Sequence, residues 1–220
     1  MTRLTLYYHP LSSYCWKALI ALYETQTPFT PHLVDFGDPK ASADFARLWP
    51  IRKFPVLRED DTGRIIPESS IIGEYLAQHA RDGTSLIPSD PDLARETRLR
   101  DRIFDCYIHN PMQKIVADIL RPADKKDPFG VEEAGAGMDA ALGVIDAQMA
   151  DRHWAIGETF TLADCAAAPA LYYANRVAPF GDVHRSSGLY LERLMQRPSF
   201  ARVLKEAEPY FKFFPGDAKR

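Results

Sequence analysis

Two adjacent serines, Ser12 and Ser13, stand where a short alternating apolar segment gives way to a helical pattern. The N–H groups in the first turn of a helix lack intrahelical partners and carry a partial positive charge, so they stabilise an anion placed against them. A thiolate held there would also gain a hydroxyl hydrogen bond, and both effects lower a thiol pKa from about 8.5 towards neutrality. Either serine can therefore activate a bound thiol without being a nucleophile. The competing interpretation, and the more common use of serine at such a junction, is that both only cap the helix.

A second candidate is Phe54, which precedes a proline in the segment 52–57 (RKFPVL). A residue before proline is held extended, and a proline that opens a strand leaves the neighbouring backbone groups unpaired. The backbone of Phe54 can therefore pair with the backbone of a ligand. The alternative is that Pro55 is an ordinary edge-strand proline.

Glu68 and Ser69 form a third candidate, just before a predicted helix. We expect Ser69 or Ser70 to cap that helix. The Glu68 carboxylate matches the amino group of a peptide ligand, while the N–H groups and the serine hydroxyl match its carboxylate. An ordinary charged helix start explains the same residues.

Aromatic and methionine residues in the second half are candidates for a substrate pocket. They are Tyr107, His109, Met112, Tyr172, Tyr173 and Phe213. Such residues at helical spacing belong more often to a plain core. The histidines have no paired spacing typical of metal ligands, so no metal site is predicted.

The elements that position these residues follow from apolar periodicity. The predicted order is a strand at 4–8, a helix through 16–23, a strand around 32–36, a helix near 41–48, strands at 56–58 and 64–66 joined by a hairpin turn, and a helix through 71–76. This β-α-β-α-β-β-α order is that of a thioredoxin-like domain, with a mostly parallel sheet and one antiparallel strand pair.

Residues 81–91 are rich in Gly, Pro, Ser and Asp, which predicts a linker. Beyond it strand patterns end, and apolar residues such as Leu99, Ile103 and Tyr107 recur at helical spacing. Thr161 and Asp164 form a capping box before an apolar run, with Phe160 placed for a hydrophobic staple. The predicted domains are therefore 1–82, thioredoxin-like, and 91–220, all-helical.

Composition excludes several classes of function. The 220 residues carry a formal net charge of −3 with both signs interspersed, so no nucleic-acid partner is predicted. No signal peptide is predicted for the first residues, and no apolar run is long enough to predict a membrane span. Cys15, Cys106 and Cys165 are odd in number and widely spaced, which favours free thiols in a reducing compartment. We therefore predict a cytoplasmic protein without a membrane partner.

Four segments together resemble the cytosolic glutathione transferases of the serine type, bacterial-like and of uncertain class. They occur in that family's order and spacing, at 9–17 (HPLSSYCWK), 53–57 (KFPVL), 67–69 (PES) and 160–164 (FTLAD). The resemblance covers essentially the whole chain. It implies the thioredoxin-like plus all-α architecture, a cis bond between Phe54 and Pro55, a homodimer and a role in detoxification.

The resemblance also implies roles for individual residues. The thiol-activating serine of the serine-type classes maps to Ser12, with Ser13 as the fallback. Phe54, followed by Pro55, would offer backbone hydrogen bonds to the cysteinyl part of glutathione.

The two ends of glutathione are assigned in the same way. Glu68 and Ser69 would hold the γ-glutamyl end, while Lys53 and Lys40 would lie near the glycine carboxylate. The second-substrate pocket would be lined by Tyr107, Met112 and Tyr172.

The sequence departs from the family pattern at three positions. Trp49 stands where many members have Asn, and Phe54 replaces the usual small aliphatic residue, a change that a backbone-mediated contact tolerates. Tyr14 stands where the class that isomerises maleylacetoacetate has a cysteine beside its serine pair, which weakens that assignment.

Three functional hypotheses remain open. The leading one is conjugation, in which a glutathione thiolate held by Ser12 attacks a small hydrophobic electrophile. The second keeps glutathione as a cofactor for isomerisation or reductive dehalogenation. The third is a non-catalytic glutathione-binding module, because a fold does not fix a function.

Overall fold

The computed structural model describes residues 2–80 and 85–215. The first of these ranges is an α/β unit with the elements β1 (Leu4–Tyr8), α1 (Ser13–Glu24), β2 (Thr30–Leu33), α2 (Pro39–Leu48), β3 (Val56–Glu59), β4 (Ile65–Pro67) and α3 (Ser69–Gln78). The second is predominantly helical, with the elements α4 (Pro91–Ile103), a π-helical segment (Phe104–His109), α5 (Asn110–Leu120), a 3₁₀ turn (Ala123–Lys125), α6 (Pro128–Met149), α7 (Leu162–Val177), α8 (Arg185–Gln196), α9 (Pro198–Ala207) and a 3₁₀ segment (Glu208–Phe213). The predicted thioredoxin-like domain followed by an all-α domain is confirmed.

The four strands form one mixed sheet in the order β2-β1-β3-β4. β1 is parallel to β2, but β1 pairs antiparallel with β3, and β3 antiparallel with β4. The prediction of a mostly parallel sheet is therefore wrong. After β2 the chain returns through α2 and the loop 49–55 to the edge at which β2 ended, so β3 runs in the opposite direction. The short turn from β3 to β4 then enforces a second antiparallel pair.

β2 lies two residues earlier than the predicted strand at 32–36. All four of its residues are exposed, so it has no alternation of buried and exposed side chains that a sequence pattern could reveal. α1, in contrast, buries most of its residues, as its apolar spacing predicted, and of the two candidate serines Ser12 is its N-cap.

The helical half is centred on α7, which is buried along most of its length. The predicted capping box is confirmed, because Asp164 Oδ2 accepts hydrogen bonds from Thr161 N (2.8 Å) and Thr161 Oγ1 (3.0 Å). Phe160, placed for the staple, is buried. The N-terminus of α7 is therefore fixed by its own first turn.

The apolar pattern through α4 predicted the helix but not its buried face. Leu99 and Tyr107 are 51% and 60% exposed, whereas Arg100 and Asp101 are buried. α4 therefore turns a charged face towards the rest of the molecule.

One apolar core joins the two halves. Trp16 of α1 has ring contacts of 4.8–6.1 Å with Tyr172, Tyr173, Phe200 and Phe211 of the helical half. α1 is therefore shared between the sheet and the helices.

The predicted linker at 81–91 lies partly outside the described residues, because 81–84 are not described. In its described part Leu86 is buried, and its carbonyl oxygen accepts a hydrogen bond from Leu162 N at 2.8 Å. The domain limits 1–82 and 91–220 stay predictions. None of the described helices is long and apolar enough to cross a membrane.

Candidate functional site

Strand register brings the three predicted site segments to one edge of the sheet. Tyr7 pairs with Val56, and Val56 pairs with Pro67. Continuing both pairings by one residue places the end of β1, the start of β3 and the end of β4 side by side. The segments that carry Ser12, Phe54 and Glu68 therefore meet at this edge, although they are separated in sequence.

Ser12 is the N-cap of α1, and its Oγ accepts a hydrogen bond from Cys15 N at 3.4 Å. Its own N–H donates to the carbonyl oxygen of His9 at 3.0 Å, which fixes the turn between β1 and α1. Within residues 2–80 and 85–215 the Ser12 hydroxyl proton has no acceptor, and the side chain is half-buried. The hydroxyl is thus oriented as a cap, with its proton available to a ligand. Ser13, the fallback, is buried as the first residue of the helix.

Phe54 and Pro55 are joined by a cis peptide bond, which confirms the bond that the family resemblance implied. Pro55 is buried, while the half-buried Phe54 ring is stacked between Phe36 (5.2 Å, 18°) and His9 (5.9 Å, 17°). Aromatic contacts therefore hold the Phe54 side chain, and its backbone lies at the sheet edge.

The start of α3 differs from the prediction that Ser69 or Ser70 caps it. Glu68 is the N-cap residue, without a side-chain capping bond, and Ser69 is the first helical residue and is buried. Glu68 has a φ of 70°, a region that is costly for a residue other than glycine. Its carboxylate is exposed and has no hydrogen-bond partner among the described residues.

The two lysines assigned to a carboxylate are both exposed. Lys40 lies in the first turn of α2, where its N–H donates to the capping carboxylate of Asp38 at 2.8 Å. Lys53 directly precedes Phe54. Both can move towards a ligand, and no contact with another described residue fixes either ammonium at the site.

The predicted pocket residues are not gathered into one lining. Met112 is a buried core residue, Tyr172 is half-buried in the aromatic cluster around Trp16, and Tyr107 is exposed on the π-helical segment. Among the ring contacts of the described residues, none joins Tyr107 to Tyr172. Their roles towards a second substrate stay predictions.

The remaining candidates, His109, Tyr173 and Phe213, also do not line a common pocket in the described structure. His109 and Tyr173 are both buried, and the Tyr173 hydroxyl donates to the Leu11 carbonyl oxygen at 2.9 Å. Phe213 is 69% exposed.

Cys15 is excluded as a thiolate. It is fully buried, and burial raises the pKa of its thiol to about 12, with the hydrogen bonds of Ser12 and His9 acting in the opposite direction. The thiol is therefore protonated at neutral pH, as expected for a structural cysteine.

A buried ionic cluster next to the site was not predicted. Lys17 Nζ lies 2.5 Å from Asp101 Oδ1 and 2.8 Å from Asp105 Oδ2, and it donates to Ser70 Oγ at 2.8 Å. Arg102 also contacts Ser70 and both carboxylates. The cluster ties α1, α3 and α4 together behind Ser69. A lysine inside an apolar helix face is the one sequence signal that pointed to it.

A cavity of about 370 Å³ lies elsewhere, between the end of α6 and the start of α8. It is lined by residues 149–153 and by Ser186, Leu189 and Arg193, and none of the predicted site residues is among them. Among the described residues no group of three or more His, Cys, Asp or Glu side chains is placed to hold a metal ion.

The fold and this sheet edge define a two-domain protein with a thioredoxin-like first half and a helical second half. Residues 6–84 match the model of the glutathione S-transferase N-terminal domain, and residues 128–206 match the model of the glutathione S-transferase C-terminal domain. The chain belongs to the glutathione S-transferase family.

Individual relatives agree with this assignment. Glutathione S-transferase GstB of Escherichia coli K12 is 26% identical over 191 residues, 86% of this chain and 91% of that protein. A probable maleylacetoacetate isomerase of Caenorhabditis elegans is 26% identical over 211 residues, 93% of this chain and 94% of the relative. A crystal structure of a glutathione S-transferase from Methylobacillus flagellatus with glutathione bound superposes with a TM-score of 0.82 at 25% identity, covering 91% of this chain and 98% of that one.

Proposed function

We propose that this protein is a cytoplasmic glutathione transferase, active in detoxification, that conjugates the glutathione thiolate to small hydrophobic electrophiles. The observation that carries the proposal is the Ser12 hydroxyl, which caps α1 at the sheet edge and has a proton without an acceptor among the described residues. The family and the glutathione-bound relative support glutathione as the ligand.

Glutathione would lie along the sheet edge. The backbone of Phe54, held by Pro55, would pair with the cysteinyl unit, as a strand pairs with an added strand. Glu68 would receive the α-amino group of the γ-glutamyl end, and the N–H groups and hydroxyl at Ser69 its carboxylate.

The glycine carboxylate would lie on the side of α2. Lys53 adjoins Phe54, and Lys40 lies in the first turn of α2, so both exposed ammonium groups can reach an anion there. Long side chains of this kind attract a carboxylate as mobile point charges.

The rate enhancement comes from thiolate population and proximity. The α1 N-terminus and the Ser12 hydroxyl stabilise the sulfur anion, which lowers its pKa towards neutrality. The thiolate then attacks an electrophilic carbon held in the adjoining pocket. Tyr14 lies on the side of the site that faces the helical half, because its hydroxyl donates to Asn110 Oδ1 at 2.8 Å. We place Tyr107, Met112 and Tyr172 around the second substrate, with buried Met112 acting through packing.

The test compares Ser12→Ala with Ser13→Ala. Loss of one hydrogen bond to a charged sulfur is expected to lower kcat about 10- to 100-fold, since such bonds contribute about 1.5–3 kcal/mol. Glutathione affinity is expected to change far less, because the peptide contacts remain. Thiolate absorbance, titrated with glutathione at neutral pH, should saturate in the native protein and disappear in Ser12→Ala.

Ser13→Ala is the matched control, because it removes the same hydroxyl one residue away and should leave the thiolate signal intact. If Ser13→Ala abolishes the signal and Ser12→Ala does not, the serine assignment moves to Ser13. Turnover that is unchanged in both variants would refute thiol activation by serine, and binding without turnover would favour a non-catalytic module.

Isomerisation is the second candidate, because one relative is a probable maleylacetoacetate isomerase. It uses the same thiolate but returns glutathione at the end of each cycle. A product assay that finds free glutathione regenerated, with no conjugate accumulating, would favour isomerisation. Release of halide from a halogenated substrate, measured in the same assay without a conjugate, would favour reductive dehalogenation.

A further inference from the structure

His9 is fixed by three segments that surround the site. It follows β1, and its ring lies 5.9 Å from the ring of Phe54 in a nearly parallel stack. The ring of Tyr210, in the 3₁₀ segment Glu208–Phe213, meets it edge-on at 6.4 Å. Its carbonyl oxygen accepts the Ser12 N–H bond at 3.0 Å. The imidazole is therefore immobilised at the turn that carries Ser12.

The hydrogen bonds of His9 determine which ring nitrogen carries the proton. Leu11 N donates to Nδ1 at 3.2 Å, so Nδ1 is the acceptor and neutral imidazole carries its proton on Nε2. Burial lowers the pKa of His9, with Asp35 acting in the opposite direction, which favours the neutral form at pH 7. Among the described residues Nε2 has no hydrogen-bond partner, and the side chain is only half-buried. A fixed N–H donor is therefore available at the site.

We propose that His9 Nε2–H donates a hydrogen bond to the carbonyl oxygen of an α,β-unsaturated substrate, so that activated alkenes are a preferred substrate class of this enzyme. The proposal rests on the proposed function, which supplies the glutathione thiolate. Ser12 holds the sulfur, and His9 lies three residues earlier on the other side of the same turn. Sulfur and substrate oxygen would thus have separate donors.

The reaction balances without any further reagent. The thiolate sulfur forms a bond to the β-carbon, and the electron pair of the C=C bond moves to give an enolate. Negative charge then develops on the substrate oxygen, where a fixed donor stabilises the transition state more than the ground state. A proton from water is added to the α-carbon, and His9 keeps its own proton. Displacement of a halide places no charge on such an oxygen, so it draws no comparable stabilisation from His9.

The experiment compares two variants on two substrates. His9→Phe removes the donor and keeps an aromatic ring on Phe54, and His9→Gln keeps an N–H donor close to the position of Nε2. The substrates are an α,β-unsaturated ketone and an alkyl halide of similar size. We expect His9→Phe to lower kcat/KM for the ketone at least about 10-fold, as for loss of one oxyanion donor, with the halide changed less than about threefold. His9→Gln should recover most of the loss on the ketone.

Other outcomes overturn the proposal. An equal loss on both substrates would make His9 a packing residue, and no loss on the ketone would show that Nε2 does not touch it. His9→Met replaces His9→Phe if the latter does not fold. A glutathione titration distinguishes failure of the proposed function from failure of the role of His9. If the native protein gives no Ser12-dependent thiolate signal, the proposed function fails; if the signal is present while both substrates respond alike, only the role of His9 fails.

Discussion

At the residue scale, His109 shows how strongly the interface between the two halves perturbs a titratable group. It is fully buried, and neither ring nitrogen has a hydrogen-bond partner among the described residues. Its ring is stacked on Tyr14 at 4.4 Å, and the nearest carboxylate oxygen, of Asp105, lies 4.0 Å from Nδ1. Burial, with a contribution from the charge of Lys17, lowers the pKa of His109 to about 3.

This pKa predicts that the protein loses stability as the pH falls below 6.5. The unfolded chain binds a proton at His109 with a pKa of about 6.5, whereas the folded protein does not bind it until about pH 3. Between these values the unfolded state carries more protons, so the free energy of unfolding decreases with falling pH. At pH 5 the contribution of this one group is a loss of about 2 kcal/mol relative to pH 8.

The measurement is urea denaturation at pH 5 and pH 8 for the native protein and for His109→Phe. Phenylalanine keeps the stack on Tyr14 but has no proton to bind, so the variant should lose about 2 kcal/mol less between the two pH values. His79→Phe, at an exposed histidine, is the matched control and should behave as the native protein. Equal pH dependence of the native protein and His109→Phe would contradict the assignment.

At the element scale, the start of α7 depends on one carboxylate. Asp164 is fully buried and accepts hydrogen bonds from Ala155 N (2.8 Å), Thr161 N (2.8 Å), Thr161 Oγ1 (3.0 Å) and Tyr190 OH (2.5 Å). These bonds join the loop before α7 to α8. Without the carboxylate, two buried backbone N–H groups would have no acceptor.

We therefore expect Asp164→Ala to cost about 3–5 kcal/mol, because each unsatisfied buried donor costs about 1–3 kcal/mol. Tyr190→Phe removes only one of the four donors and should cost about 1 kcal/mol. Thermal unfolding of the two variants and the native protein measures the difference. A loss in Asp164→Ala no larger than that in Tyr190→Phe would show that the backbone finds other partners.

Elements with local signals were predictable, and elements defined by distant contacts were not. The capping box, the hairpin after β3 and the cap of α1 each depend on residues within a few positions of one another. β2 was predicted two residues too late, because its exposed side chains carry no alternation that would fix its limits. The buried face of α4 could not be identified, because Arg100 and Asp101 are charged and become buried only through partners elsewhere in the chain.

In the candidate site, too, residues with local signals were predictable and contacts between distant residues were not. Ser12, Phe54 and Glu68 could be proposed as candidates because each stands at a junction between elements, and the structure brings their segments to one sheet edge. Family resemblance implied the cis bond at Pro55, but sequence spacing could not. The Lys17 cluster was missed because Asp105, 88 positions away, meets Lys17 only after both halves have folded.

At the scale of the whole molecule, the site is supported from both halves of a single core. α1 carries Ser12 at its N-terminus, Trp16 in the apolar core and Lys17 in the ionic cluster. A shift of the helical half would therefore move the turn that carries Ser12, the proposed thiol-binding residue. Under the proposed function, this coupling would let the helical half influence the position of the bound sulfur.

Several large apolar side chains near the border between the two halves are exposed, which supports the homodimer that the family resemblance implied. Ile71 of α3 and Leu93 and Leu99 of α4 are 53%, 48% and 51% exposed. α3 and α4 are neighbours, because Arg98 Nε donates to Glu74 Oε1 at 2.5 Å. Exposed apolar side chains on adjacent helices are typical of a surface that a second subunit covers.

The prediction for this surface is a mass in solution of twice 24.9 kDa, measured by analytical ultracentrifugation. Leu99→Asp places a charge in the proposed interface, where burying it unpaired is costly, so this variant should dissociate to monomers at micromolar concentration. Leu189→Asp makes the same change at a residue of α8 that is 47% exposed, and it should remain dimeric. A native protein that sediments as a monomer would refute the dimer. A dimer that Leu99→Asp leaves intact would place the interface elsewhere on the surface.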